Sequence, residues 1–349
     1  MAESADLIIQ AKGLTKKFGK RIAVNDISFS VQKGEILGFL GPNAAGKTTT
    51  MKMLTCFYPP TEGTAIVNGY DVVSDSYGVR RSIGYMPENV PLYVDMTVEE
   101  YLYFVAKAKS IPPADIKGAI SKALERCNLT NVSNQLIATI SRGYKQRVGL
   151  AQAIINDPPV LILDEPSVGL DPAQIKDFRE LIVELGKSST VILSTHILSE
   201  AQLICGRVCI LDHGSIIAVD TPSNLSDRLQ KSTALSVQLL ASETDKVVED
   251  LKKLEGVSGV EEVKRESLSG CEHPLLSFKV EIAKKDLLVR KAINVLAVEK
   301  DWTLYSMQAD RLSLEDVFIN LVKEHEEEIS EESTSEAEID LQKETEGEG

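Results

Sequence analysis

The sequence lacks the long apolar runs and the targeting pattern of membrane and secreted proteins. No stretch approaches the roughly 18 consecutive apolar residues of a membrane-spanning helix. The start, MAESADLIIQ, has neither a basic region nor the apolar run of a secretion signal. The five cysteines are scattered and form no CxxC pair. This usage favours free thiols in a reducing compartment over a disulfide framework or a zinc site.

The sequence also lacks a basic stripe with interleaved aromatic residues, so we expect no nucleic-acid partner. Its net charge of −14 lies mostly at one end, because residues 324–349 contain twelve acidic residues and one lysine. The rest of the chain therefore carries a net charge of only −3. Such an acidic stretch buries too little apolar surface to fold, which predicts a disordered tail over residues 326–349. The alternative is a docking segment for a basic partner.

The 349 residues, 43% hydrophobic and 26% charged, are enough for two globular domains. The first part alternates strand and helix patterns, which predicts an α/β domain with a largely parallel sheet covered on both faces. A buried strand at 35–40 runs directly into Gly41, and a helix follows from about Gly46. The other predicted strands are 7–11, 26–31, 160–164, 190–194, 207–212 and 215–220.

Two further regions complete the predicted organisation. A helical insertion at about 88–158 interrupts the first domain, which we place at 1–231. From residue 232 the order βαββαβ with an added helix predicts a small α+β domain of ferredoxin-like fold at 232–325.

The stretch GPNAAGKTT matches the pattern strand–GxxxxGK[ST]–helix, with Gly41, Gly46, Lys47 and Thr48 at its fixed positions. Glycines allow backbone N–H groups to turn toward phosphate oxygens, and the positive end of the following helix faces them. Lysine neutralises charge on the outer phosphates, and the threonine hydroxyl is a Mg²⁺ ligand. The motif therefore predicts a site for a nucleoside triphosphate with Mg²⁺.

A second acidic motif, VLILDEP, follows at 160–166. Its apolar strand delivers Asp164 to the edge of the sheet beside the phosphate loop. Asp164 can hold Mg²⁺, and Glu165 can accept a proton from an attacking water. This pair predicts hydrolysis of the bound nucleotide.

Three more motifs are ISRGYKQR at 140–147, SVGLD at 167–171 and STH at 194–196. With them the sequence resembles the ATP-binding cassette (ABC) ATPases over nearly all of residues 7–231. The resemblance implies a P-loop NTPase fold of the ABC type, with a mixed sheet and an inserted helical subdomain. It also implies an ATPase in which two cassettes face each other head to tail, so that each ATP lies between the P-loop of one and the signature motif of the other.

The resemblance implies a role for each motif residue. The ATP-binding residues are Phe18, Gly41, Pro42, Asn43, Ala44, Ala45, Gly46, Lys47, Thr48 and Thr49. Thr48, Glu88 and Asp164 would hold Mg²⁺, and Glu165 and His196 would be catalytic. Ser141, Arg142, Gly143 and Asp171 would act on the ATP of the partner subunit. Phe18 would stack on adenine, with an ordinary core aromatic as the alternative.

Two positions depart from the usual pattern of the family. Ala44 replaces a glycine, and in a left-handed conformation alanine costs roughly 1–2 kcal/mol, which would weaken nucleotide binding without abolishing it. Glu88 replaces a glutamine, and a carboxylate can also ligate Mg²⁺.

Several local features resemble cassettes of the ABC-2 exporter type: PENVPLY, the helix RGYKQRVGLAQAI and the closing SLEDVF. The resemblance implies an ATPase subunit on the inner face of the cytoplasmic membrane, with a second ATPase subunit and a polytopic permease as partners. The permease would contact an apolar surface that includes Leu92, Tyr93, Met96 and Tyr101. The alternatives are an importer ATPase with a regulatory C-terminal domain, a soluble ABC protein acting on ribosomes or DNA, and a cytosolic ATP-gated clamp.

Overall fold

The computed structural model describes residues 7–229, 233–242, 244–267, 273–282, 287–310, 315–319, 321–323 and 325–326. Its contacts divide the chain into two compact units. We label residues 1–222 and 318–349 the ATPase unit, after the resemblance of their motifs to ABC ATPases, and residues 223–317 the C-terminal unit. The first unit boundary therefore falls at Pro222 rather than at the residue 231 taken from the sequence. The predicted tail, apart from Glu326, lies outside the described residues.

The ATPase unit contains ten strands in two sheets. They are β1 (Leu7–Phe18), β2 (Arg21–Gln32), β3 (Ile36–Leu40), β4 (Glu62–Val67), β5 (Tyr70–Asp71), β6 (Ile83–Met86), β7 (Val160–Asp164), β8 (Thr190–Thr195), β9 (Arg207–Asp212) and β10 (Ser215–Asp220). The central sheet has the order β10-β9-β3-β8-β7-β6. Its strands run parallel except for β10, which pairs antiparallel with β9. A second, antiparallel sheet has the order β2-β1-β4-β5.

Burial explains why the central strands are continuously apolar. Every residue of β7 and β8 is buried, as expected for parallel strands covered on both faces. The carboxyl ends of β3, β7 and β8 therefore lie side by side at one edge of the sheet. The phosphate loop, the acidic pair and the histidine motif all begin at this edge.

The helices of the ATPase unit connect these strands. They are α1 (Lys47–Leu54), α2 (Ser76–Ser82), α3 (Val98–Ala108), α4 (Pro113–Arg126), α5 (Arg142–Ile154), α6 (Pro172–Gly186) and α7 (Leu198–Ile204), and α8 (Pro222–Leu229) leads into the C-terminal unit. Helices α3, α4 and α5 lie between β6 and β7, within the region predicted as a helical insertion. A capping box of Thr97 and Glu100 starts α3.

The described residues of the C-terminal unit form an antiparallel sheet with two helices between its strands. Its elements follow the order β11 (Thr233–Leu240), α9 (Thr244–Lys252), β12 (Val257–Glu266), β13 (Leu275–Ile282), α10 (Leu287–Glu299) and β14 (Thr303–Asp310). The strand order β12-β13-β11-β14 is ferredoxin-like, as the sequence predicts. Alternate residues of β11 and β13, such as Val237 and Phe278, are directly paired and form the core.

A helical segment begins at the end of this unit, at 315–319, and continues at 321–323 and 325–326. Within the described ranges, no helix is both long enough and apolar enough to cross a membrane.

Candidate functional site

The phosphate loop joins the end of β3 to the start of α1. Gly46 precedes α1 with φ of 105°, and no side chain caps the first turn. A side chain on Gly41 would collide with the carbonyl oxygen of Leu211, which explains why this position needs glycine. The first turn of α1 therefore presents its positive end to a phosphate, as the motif predicts.

Lys47 is held inside the loop. It is only 6% exposed, and its Nζ donates hydrogen bonds to the carbonyl oxygens of Gly41, at 2.7 Å, and Pro42, at 3.1 Å. The same Nζ lies 3.6 Å from Oε1 of Glu165. The lysine charge is therefore placed between the phosphate loop and the carboxylate after β7.

Ala44 adopts a left-handed backbone conformation, with φ of 69°. This is the conformation for which the glycine usual at this position has no steric penalty. The alanine therefore carries a strain of about 1–2 kcal/mol within the phosphate loop.

A cavity of about 720 Å³ opens beside the loop. Glu88, Glu165 and His196 line this cavity. Most of the ATP-binding residues predicted from the sequence also line it, namely Phe18, Asn43, Ala44, Ala45, Gly46, Lys47, Thr48 and Thr49. Gly41 and Pro42 are not part of this lining and act through their hydrogen bonds with Lys47. The phosphate loop and the chemistry-bearing side chains therefore share one cavity.

Phe18 lies at the mouth of this cavity, at the end of β1. It is 44% exposed, and its ring meets the ring of Tyr58 edge-on at 5.4 Å. Such exposure excludes the alternative of an ordinary core aromatic. The Nζ of Lys16 lies over the Phe18 ring, 5.3 Å from its centroid. The exposed part of the ring can still stack on a planar base.

Asp164, the last residue of β7, is fully buried. Its Oδ1 accepts hydrogen bonds from Ser194 at 2.6 Å and from Thr48 at 3.1 Å. Its Oδ2 is buried and has no hydrogen-bond partner in the described structure. Burial raises the pKa of this carboxyl, and the two hydrogen bonds offset the rise only in part. A buried, unpartnered carboxylate oxygen beside a threonine hydroxyl fits a divalent cation.

Glu165 and His196 form a hydrogen-bonded pair. The Nδ1 atom of His196 lies 2.7 Å from Oε2 of Glu165. The Glu165 backbone has φ of 48°, and its N–H donates to the Ser194 hydroxyl at 2.8 Å. The strained backbone aims a buried carboxylate at the cavity, which is the arrangement that a general base requires.

The signature motif begins α5. Ser141 precedes this helix, and its hydroxyl accepts a hydrogen bond from the N–H of Tyr144 at 3.4 Å. Ser141 and Gly143 line a second cavity of about 300 Å³, together with Tyr144, Arg147, Gln174 and others. Neither residue is part of the lining of the cavity at the phosphate loop. One chain therefore keeps the phosphate loop and the signature motif apart.

Arg142 and Asp171 connect the signature to the SVGLD loop. The Arg142 guanidinium donates to the carbonyl oxygen of Val168 at 3.2 Å and packs against Gly169. Asp171 caps α6 by accepting a hydrogen bond from the N–H of Gln174 at 2.9 Å. Since Val168 also lines the phosphate cavity, this loop contacts both regions.

The sequence reasoning missed three residues around the site. Ser194 supports both Asp164 and Glu165, and Glu200 is a buried carboxylate that accepts a hydrogen bond from Ser167 at 2.9 Å. Arg21 lines the phosphate cavity. Ser194 is the first residue of the STH motif, so this motif was the available signal for it. No motif that we used signals Glu200 or Arg21.

The expected permease surface is only partly present. Tyr93 is 52% exposed, and Leu92 and Met96 are half-buried, but Tyr101 is 5% exposed. Tyr101 belongs to α3, and its ring meets that of Tyr93 edge-on with centroids 6.1 Å apart. The expectation that Tyr101 forms part of the surface is therefore wrong, because its place in α3 faces inward. Exposed apolar side chains that the prediction did not include are Val94, Tyr103, Phe104 and Leu136.

Comparisons with known proteins agree with this geometry. A family model described as "ABC transporter" matches residues 24–168. The linearmycin resistance ATP-binding protein LnrL of Bacillus subtilis is 31% identical over 315 residues, which are 90% of this chain and 98% of LnrL. The chain belongs to the ABC transporter ATP-binding proteins. It is therefore an ABC ATPase and an ATP-binding component of a transporter.

Two other similarities define how far the relationship extends. The probable multidrug ABC transporter ATP-binding protein YbhF of Escherichia coli is 37% identical over 221 residues, which are 63% of this chain but 38% of YbhF. A solved structure described as the ATP-binding subunit of an ABC transporter matches with a TM-score of 0.58 and 32% identity, over 63% of this chain and 92% of that chain. Several relatives are therefore of similar length to this ABC ATPase, and others are larger.

Proposed function

We propose that this ABC ATPase hydrolyses MgATP and powers a membrane exporter of the ABC-2 type through ATP-driven dimerisation. The observation that carries the dimer is the separation of Ser141 and Gly143 from the cavity at the phosphate loop. In the ABC family, each ATP is held by the P-loop of one cassette and the signature motif of the other. A second copy in head-to-tail arrangement supplies the missing side.

In the proposed dimer, residues of both chains bind different parts of the ATP. Phe18 stacks on adenine, and the backbone N–H groups of the loop and the first turn of α1 hold the phosphates. Lys47 neutralises charge on the outer phosphates. Ser141 and the backbone of Gly143, from the partner subunit, donate to the γ-phosphate at the start of α5. Arg142 contacts the SVGLD loop, and Asp171 is its last residue. Both influence how the signature motif meets the ATP of the partner subunit.

Thr48, Glu88 and Asp164 are the residues proposed to hold Mg²⁺. The unpartnered Oδ2 of Asp164 and the nearby hydroxyl of Thr48 support this assignment, and Glu88 adds an exposed carboxylate at the rim of the same cavity. Bound Mg²⁺ would neutralise charge that develops on the phosphate oxygens.

Hydrolysis is assigned to Glu165 and His196. Glu165 accepts a proton from the attacking water as that water approaches the γ-phosphorus. The hydrogen bond of His196 Nδ1 to Glu165 fixes the carboxylate, and Nε2 is left for a γ-phosphate oxygen. The strained backbone at Glu165 keeps its carboxylate directed into the cavity.

The exporter assignment rests on names of relatives and on the surface around α3. LnrL is named for resistance to linearmycin and YbhF as a multidrug transporter component. The exposed side chains of Tyr93, Val94 and Phe104 offer an apolar contact for a membrane subunit. The enzyme would then lie on the cytoplasmic face of the membrane. An importer ATPase with a regulatory C-terminal domain and an ATP-gated clamp without a membrane partner are the competing functions.

The test uses the full chain with Glu165→Gln, expressed with a tag in its native cells. Membranes are solubilised in mild detergent with MgATP, and the proteins that copurify are identified. The proposal predicts a polytopic membrane protein in near-equal amount. Glu184→Gln is the matched control. Glu184 is an exposed glutamate of α6 whose carboxylate pairs with Lys187 at 3.2 Å. This variant should retain turnover. A soluble ATP-dependent homodimer without a membrane protein would contradict the exporter assignment.

A further inference from the structure

The hairpin between β9 and β10 carries a cluster of side chains that ATP hydrolysis does not use. Asp212 ends β9, His213 lies in the two-residue turn, and His325 comes from the helical segment after the C-terminal unit. The Nδ1 atoms of both histidines lie 2.8 Å from the same atom, Oδ2 of Asp212. One ligand-type atom of each of the three residues lies within 4.8 Å of the others.

We propose that Asp212, His213 and His325 form a binding site for a divalent transition metal of the zinc class. Two imidazole nitrogens and one carboxylate oxygen are a donor set that zinc accepts, with water as a fourth ligand. Mg²⁺ prefers oxygen ligands, so this site differs in selectivity from the one assigned at Asp164.

The observed distances are close to those of a metal site. In a tetrahedral site with bonds of about 2.0–2.1 Å, neighbouring ligand atoms lie about 3.3 Å apart. The two histidine nitrogens therefore need to move away from Oδ2 by only about 0.5 Å. On binding, a neutral ring moves its proton from Nδ1 to Nε2, and a charged ring releases one proton to solvent.

The three residues differ in exposure in a way that suits metal entry. The Asp212 side chain is 1% exposed, that of His325 is 18% exposed and that of His213 is 59% exposed. The buried carboxylate provides a fixed anionic ligand. The exposed imidazole of His213 leaves room for the fourth ligand and for exchange with solvent.

The hairpin turn is joined to the phosphate loop by a backbone hydrogen bond. His213 and Gly214 have φ of 45° and 83°, as in a type I′ turn. The Gly214 N–H donates to the Ala45 carbonyl at 3.1 Å, and the Gly214 carbonyl accepts from the N–H of Asn25 at 2.8 Å. A metal at this cluster would therefore fasten the segment around residue 325 to the hairpin that contacts the phosphate loop.

The experiment uses the full chain with its tag removed and its metals stripped by chelation. Zinc affinity is measured by competition with a fluorescent zinc chelator, without nucleotide and in excess Mg²⁺. Cobalt is added in parallel, because its visible spectrum distinguishes nitrogen and oxygen ligands from thiolates. The variants are His325→Ala and Asp212→Asn, which retains the size of the side chain. His273→Ala is the matched control, since His273 is exposed and lies outside the cluster.

The proposal predicts one zinc ion per chain, and zinc binding at least about tenfold weaker in both cluster variants, since even partners of metal ligands contribute about 10–100-fold. The control should bind as the wild type does. Zinc should also slow hydrogen exchange at residues 321–326 in the wild type but not in His325→Ala, which separates metal ligation from misfolding. A wild type without a zinc equivalent, or equal affinity in all variants, would refute the site and leave a hydrogen-bonded cluster without metal.

Discussion

The ATPase unit and the C-terminal unit use the same kinds of elements but bury different side chains. Among the described residues, every buried polar or charged side chain belongs to the ATPase unit, including Lys47, Asp164, Glu165 and Glu200. The core of the C-terminal unit is a cluster of apolar side chains alone. Burying a charge without a partner costs free energy. The buried charged side chains of the ATPase unit therefore indicate that the chemistry takes place in that unit.

Backbone strain follows the same division. Among the described non-glycine residues with positive φ, Asp301 lies in the C-terminal unit and the others lie in the ATPase unit. Ala44, Glu165 and His213 are three of them, and each lies at or beside the phosphate cavity or the hairpin that contacts its loop. In the ATPase unit, left-handed backbone at these three positions therefore coincides with the candidate site.

The largest expected effect is on catalysis, at His196. His196→Ala removes the partner that orients Glu165, and kcat should fall about 100-fold or more, within the range for general acid–base groups. ATP affinity should change far less. Phosphate release and nucleotide binding are measured on the same preparation, with His273→Ala as the control. A kcat equal to that of the wild type would remove His196 from the mechanism.

A large effect on stability is expected at Phe278 in the core of the C-terminal unit. Phe278→Ala should lower the free energy of unfolding of this unit by about 3–5 kcal/mol. Trp302 is the one tryptophan of the chain and packs against this core, so its fluorescence in a urea titration reports the transition. Tyr305→Ala, at a position 64% exposed on β14 of the same sheet, is the control and should leave the transition near its original midpoint. An unshifted transition in Phe278→Ala would contradict the assigned core.

A smaller effect, dependent on pH, is expected at Glu200. Burial raises the pKa of this carboxyl, and the hydrogen bond from Ser167 and the charge of Arg179 offset it only in part. The fold therefore favours the protonated form, and wild-type stability is lost as the pH rises through the raised pKa. Glu200→Gln stays neutral, so it should be as stable as the wild type in acid and more stable at neutral pH. Urea unfolding across this range measures the difference, and a difference independent of pH would contradict the buried ionisation.

The smallest effect is expected at Ala44. Ala44→Gly relieves about 1–2 kcal/mol of left-handed strain but adds about 0.5–1 kcal/mol of backbone entropy cost. The net gain of about 0.5–1 kcal/mol should appear as tighter nucleotide binding or a higher Tm. Ala45→Gly, with its ordinary backbone, should gain nothing. A loss of both affinity and stability in Ala44→Gly would contradict the strain.

The sequence predicts the buried parallel strands well because their apolar runs have few alternative explanations. β7 and β9 have the predicted bounds, and so does β10, although it is antiparallel and only half-buried. It does not predict β4 or the two-residue edge strand β5, which both carry exposed residues, nor the full lengths of β1 and β2. It does not predict β6 either, since IGYM has only four residues.

The candidate site is predicted from sequence to the extent that its residues lie in local motifs. The phosphate loop, Asp164, Glu165 and His196 were all found from short patterns. Ser194 and Glu200 were not, because their contacts with Glu165 and Ser167 span 29 and 33 residues of chain and depend on the pairing of β7 with β8. Asp212 and His325 are 113 positions apart in the sequence, so no local pattern signals their cluster.

The claim that two chains complete each ATP site is tested most directly by mixing two inactive variants. Lys47→Met disables the phosphate loop, and Ser141→Arg blocks the signature motif. In a head-to-tail heterodimer of these two variants, one site has an intact loop from one chain and an intact signature from the other. The account predicts that each variant alone is inactive and that an equal mixture regains up to roughly a quarter of the wild-type ATPase rate. A mixture that stays as inactive as its components would contradict a site shared between two chains.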